Sequence, residues 1–147
     1  MALTINPGEW VVVCDGAKAL ILENVGDTKF PNLKTREVLE HKPQATRELG
    51  TDKPGRSYSS VGHGRSAVAQ TDWHTQEEET FLAELAAKLD QAVNGQDVKS
   101  LIVVAPPRAL GFLRQAYGHG LKAAVRAEID KDLVKMPVHE IEKYLVA

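Results

Sequence analysis

Leu101-Ile102-Val103-Val104 is a four-residue run with no polar side chain. Successive side chains of a strand point to opposite faces, so such a run needs apolar cover on both. It predicts a central strand over Lys99–Ala105 in an α/β sheet, a demand few architectures meet. Pro106-Pro107 blocks continuation of that strand and can open a helix at its first turn. The helix is expected to reach about Tyr117, carrying Leu110, Leu113 and Tyr117.

The other elements follow from period and punctuation. Trp10–Cys14 is a short run of the buried-strand type. Asp15-Gly16 follows as a hairpin signal, and Ala17–Glu23 returns as the second strand. Gly26-Asp27 and Pro31-Asn32 mark turns, and Lys34–His41 alternates as the third strand. Thr75 and Glu78 have capping-box spacing. After them Phe81, Leu82, Leu85, Ala86, Leu89 and Val93 make one helical apolar stripe, which Asn94-Gly95 ends. Gly118-His119-Gly120 reads as a turn, and Lys122–Asp130 as the last strand, with Ala123, Val125, Ala127 and Ile129 on one face. Pro137 opens a final helix with Val138, Ile141 and Leu145 on one side. The order β-β-β-α-β-α-β-α is that of ribonuclease H-like folds and predicts a five-stranded mixed sheet with helices on its faces.

Composition limits the function classes. A length of 147 residues with 43% hydrophobic residues fits one domain with a sizeable core. A net charge of -2 gives no overall basic field, so nucleic-acid binding would need a local patch. The single cysteine, Cys14, cannot form a disulfide within the chain. Met1 to Glu9 lacks a charged segment followed by an apolar one, so no signal peptide is expected. The apolar runs are too short to span a bilayer, and the expected compartment is the cytoplasm, with no membrane partner.

Residues from about 42 to 74 show no period and contain Gly50, Pro54-Gly55, Gly62 and Gly64. A long flexible loop is expected there, and such loops are commonly functional or disordered. Lys42, Arg47, Lys53, Arg56 and Arg65 face only Glu48 and Asp52 between positions 42 and 66. Cations among glycines can contact phosphates, because glycine lets the backbone approach closely. The alternative is a solvated, locally basic loop.

Several segments together resemble the bacterial host attachment protein family. They are Trp10 with Cys14-Asp15-Gly16-Ala17-Lys18-Ala19, Pro54-Gly55-Arg56, Gly64-Arg65, and Phe81 with Leu85. The most specific are Val104-Ala105-Pro106-Pro107-Arg108-Ala109-Leu110-Gly111-Phe112-Leu113-Arg114 and Glu128-Ile129-Asp130-Lys131-Asp132-Leu133. That family is similar to the middle domain of archaeal and eukaryotic peptide-release factors. In those factors a Gly-Gly-Gln loop before a long helix promotes hydrolysis of peptidyl-tRNA. Here Gly62-His63-Gly64-Arg65-Ser66-Ala67 takes the comparable place without a Gly-Gly-Gln. The resemblance therefore implies a binding module directed at RNA, the ribosome or tRNA, with no cofactor, more readily than a hydrolase. A protein-interaction module without nucleic acid is the third reading.

The candidate contact residues are Arg56, Gly62, His63, Gly64, Arg65, Arg108 and Arg114. Arg108 follows the carboxyl end of a central strand, where α/β sheets bind ligands and a helix N-terminus favours anions. Its alternative is a structural ion pair with Asp130 or Asp132. Asp15, Asp130 and Asp132, with Glu78, are the acids that a metal-dependent nuclease of this fold would call on, although Asp15 is equally a hairpin residue. The five histidines show no metal-ligand spacing, so no metal is expected. Cys14 reads as an inert core residue. An exposed edge strand at Lys34–His41 could support a homodimer.

Overall fold

The computed structural model describes residues 3–41 and 63–146, with the backbone alone for 63–74. Five strands form one sheet: β1 (Trp10–Cys14), β2 (Lys18–Asn24), β3 (Leu33–Glu40), β4 (Leu101–Ala105) and β5 (Val125–Asp130). The helices are α1 (His63–Asn94), α2 (Pro107–Ala116), α3 (His119–Ala124) and α4 (Val138–Val146). Spatial order is β3-β2-β1-β4-β5. β1, β2 and β3 run antiparallel in sequence, while β4 lies parallel to both β1 and β5. This is the five-stranded mixed sheet that the element order predicts.

β1 and β4 are buried at every position. Their alternating side chains feed two cores. Trp10, Val12, Cys14, Leu101 and Val103 pack on one face against Leu82, Leu85 and Leu89 of α1, Leu110 and Leu113 of α2, and Leu121 of α3. Val11, Val13, Ile102 and Val104 pack on the other against Ile141 and Leu145 of α4, joined by Ile5, Leu133 and Val134. The central strands are thus covered on both sides, as a uniformly apolar strand requires.

Two local expectations change. The apolar stripe of α1 is where its spacing places it, but the helix opens at His63 rather than after Thr75. Thr75 and Glu78 therefore sit inside a continuous helix and form no capping box. The expected loop is helical from 63 onward, and its remainder, 42–62, lies outside the described residues. Second, His119–Ala124 is helical, so the last strand begins at Val125. Leu121 and Ala124 are both buried, and a spacing of three places them on one face of a helix turn. α1 ends at Asn94, as expected, and the left-handed residue that follows is Gln96, with φ of 65°. The Asp97 N–H donates to Ala92 O and the Gln96 N–H to Val93 O, which closes a Schellman motif.

A side chain at that left-handed position costs free energy that glycine avoids. Gln96→Gly should therefore raise stability by about 0.5–1 kcal/mol, read as a higher urea midpoint. A lowered midpoint would mean that the Gln96 side chain makes a compensating contribution.

Candidate functional site

The carboxyl ends of β1 and β4 lie side by side because the two strands are parallel. Asp15 and Gly16 leave one, and Pro106 and Arg108 leave the other. Glu78 and Leu82 of α1 and Phe112 of α2 complete a shallow cleft there. Asp15 is committed to its turn. Its Oδ1 accepts the N–H groups of Ala17 and Lys18, each at 2.9 Å, and its own N–H donates to Lys18 O. Gly16 is needed for close approach rather than for a left-handed conformation: a Cβ there would lie 2.7 Å from Glu78 Cγ.

Arg108 crosses this cleft. Its Nε donates to Glu78 Oε1 and its Nη2 to Thr75 Oγ1, both at 3.0 Å, and its guanidinium lies 5.7 Å from the Phe112 ring centre. The ion pair expected with Asp130 or Asp132 is made with Glu78 instead. α1 passes over the start of α2, so an acid thirty residues earlier in the chain reaches Arg108. The side chain remains 61% exposed, so Arg108 keeps donors open to solvent.

Pro106 takes an extended conformation as the N-cap of α2, without a side-chain cap, and Pro107 opens the helix. The first turn of α2 therefore has backbone N–H groups without a capping side chain, beside Arg108.

Arg114 stands at the other end of α2 and meets a different partner. Its Nε and Nη2 hold Glu128 Oε1 at 2.8 and 2.7 Å, and the Tyr117 hydroxyl donates to Glu128 Oε2 at 2.8 Å. Burial alone would raise the Glu128 carboxyl, but the hydrogen bonds from Arg114 and Tyr117 outweigh it and hold its pKa below the ordinary carboxylate range. Burial, reinforced by the Glu128 bond, pushes the Tyr117 phenol well above its usual value.

His63, Gly64 and Arg65 form the first turn of α1. Arg56 and Gly62 lie outside the described residues. Asp130 ends β5 and Asp132 follows it, both exposed. Among the described residues, no three His, Cys, Asp or Glu side chains gather as a metal site. Burial, with a smaller contribution from Asp15, pushes the Cys14 thiol up to about 12, so it stays neutral and unreactive near pH 7.

Three polar groupings had no local signal in the sequence. Glu9 is buried and gripped by Arg126, with Nε–Oε2 and Nη2–Oε1 both at 2.7 Å, and it also accepts from Ser100 Oγ and the Asn6 N–H. Asn24 is 1% exposed. His41 Nε2 lies 2.7 Å from Glu77 Oε2 and joins the end of β3 to α1.

The family described as "protein required for attachment to host cells" matches residues 10–145. The chain belongs to that family. Its relatives include an uncharacterized protein of Rickettsia prowazekii, 43% identical over 54 residues, which is 37% of this chain and 36% of that one. Among solved structures, the chain resembles an archaeal translation termination factor at a TM-score of 0.46 and 13% identity, over 91% of this chain and 34% of that one. In both comparisons the matched part is about a third of the other protein. Among the described residues, no helix is long and apolar enough to cross a membrane.

Proposed function

We propose that this member of the host attachment family is a cytoplasmic binding module that contacts RNA or the translation machinery. The contact element is the basic, glycine-containing stretch that ends in Gly64-Arg65. The observation that carries the reading is the continuity of α1: Arg65 lies in its first turn, and the same helix supplies Leu82, Leu85 and Leu89 to the core. A residue in the first turn of a helix whose later turns are packed in the core has its backbone tied to the fold. Residues 63–74 add on the order of 18 Å of helix ahead of Thr75. Arg108 and Arg114, partly exposed and oriented by Glu78 and Glu128, are secondary contacts. On this reading, attachment to host cells follows indirectly from altered gene expression.

Crosslinking in cells, with RNA and protein recovered together, should enrich ribosomal RNA or tRNA. The double substitution Arg56→Ala/Arg65→Ala should reduce that enrichment. In vitro it should lower the slope of log K against log salt by about 1.4 for a single strand, the loss of two phosphate contacts. An unchanged slope removes the stretch from the interface. Turnover of peptidyl-tRNA or structured RNA would replace the binding module with a hydrolase, and a salt-insensitive protein partner without RNA would replace it with an interaction module.

A further inference from the structure

β5 is an edge strand, and a groove of about 460 Å³ runs beside it, between the end of α2, α3 and the strand itself. Arg114, Lys122 and Arg126 line it from three separate elements, and the body of Tyr117 with Val125, which packs on the same face of the sheet, supplies apolar surface between them. Both arginines are already oriented. Arg114 is held through Nε and Nη2 by Glu128, and Arg126 through the same two nitrogens by Glu9. Nη1 of each makes no hydrogen bond among the described residues, and Lys122 is exposed with no ion pair there. Three cations thus stand against Glu128, whose two oxygens are occupied by Arg114 and Tyr117, and against Glu9, which is buried behind Arg126. Among the lining residues alone, Arg114, Lys122 and Arg126 outnumber Glu128, while Asp130 lies close enough to act on Arg114.

We propose that this groove binds a nucleotide unit, its base on the Tyr117–Val125 surface and its phosphates on Lys122 and the two arginines. Two features favour phosphate over a peptide carboxylate. Arginines with their planes fixed present spare N–H groups at no further ordering cost, which suits the several oxygens of a phosphate. The aromatic and apolar surface between the cations suits the π-face of a base, whatever its sequence. The site uses no residue of the 42–65 stretch and shares only the secondary contact Arg114 with the interface proposed above. It would serve either a free nucleotide or one unit of a single strand.

The test is titration of the isotope-labelled full chain, followed by backbone amide shifts, with a uridine decanucleotide, UMP and an octapeptide of alternating Glu and Val. The decanucleotide should move the amides of Lys122–Glu128 together, and Lys122→Glu should weaken it at least fivefold. Lys122 is exposed and unpaired, so this variant keeps its fold. Arg114→Gln should weaken binding similarly. UMP binding as tightly as the decanucleotide supports the site with a free nucleotide as its ligand, whereas tight binding by the decanucleotide alone assigns it to a single strand. The Arg56→Ala/Arg65→Ala variant should show the same shifts at Lys122–Glu128, so failure of the basic stretch and failure of the groove are read separately. Shifts absent from Lys122–Glu128 at saturation, unchanged affinity in Lys122→Glu, or tighter binding of the Glu/Val peptide would each overturn the proposal.

Discussion

Asn24→Ala should lower stability by about 2–3 kcal/mol, because it removes hydrogen bonds to main-chain groups on three segments at once, the buried Ile5 carbonyl among them. Asn24 Nδ2 donates to Ile5 O at 3.0 Å and Asn6 O at 3.2 Å, and reaches Asp27 O at 3.4 Å. Its Oδ1 accepts the N–H groups of Gly26 at 2.9 Å and Asn32 at 2.8 Å. One amide thus ties the segment before β1 to the turn between β2 and β3. An orphaned buried group such as Ile5 O costs about 1–3 kcal/mol, and the part-buried partners, which water can reach, add less. Urea unfolding monitored at Trp10 would report the loss. A change under about 1 kcal/mol would show that water replaces the amide.

Arg126→Ala should cost about 3 kcal/mol near neutral pH, since it leaves the buried Glu9 carboxylate without its counter-charge. The pH dependence gives a sharper signature. In the native protein, burial alone would raise the Glu9 carboxyl, but Arg126, the Asn6 N–H and Ser100 together hold its pKa below the ordinary range. Glu9 therefore stabilises the fold above its unfolded pKa, and that contribution fades as pH falls through the depressed folded value. In the variant only the Asn6 N–H and Ser100 oppose burial, so the folded pKa moves upward and the stability that Glu9 contributes at neutral pH shrinks. The gap between the two proteins should be widest near neutrality and should narrow in acid. Urea midpoints at a neutral pH and at one below the carboxylate range would check this, and an equal gap at both would show that Glu9 is not the group responsible.

What could be read from the chain was what repeats at short range. The Leu101–Val104 run, the strands from Trp10 to Glu40 and the stripe from Phe81 to Leu89 each carry their period within a few residues, and the sheet is built from them. The start of α1 was obscured because Thr75 and Glu78 copy a helix opening, while Gly62 and Gly64 resemble loop residues. In the fold, Thr75 and Glu78 are instead the acceptors for Arg108. The Lys122–Ala124 segment misled because Ala123 and Val125 alternate like a strand, whereas the buried pair is Leu121 and Ala124. Arg126 and Glu9 are separated by 117 residues, and only the parallel placement of β1, β4 and β5 brings them together. Single residues were legible where their partner was local, as with Asp15 and its turn.

The parallel pairing of β1 with β4 also governs the order in which the chain can assemble. β1 and β2 can close as a hairpin early, but Trp10 must wait for Leu101, with α1 and the segment before it synthesised in between. Until then Val11 and Val13 lack the half of their core that Ile102 and Val104 supply, and β1 offers an unpaired edge. Non-local closure of this kind slows folding and exposes the nascent hairpin to wrong partners. A chain released before Leu101 would be a sticky two-sided sheet fragment, so cells should recover this protein in full-length form or find its truncated products in aggregates.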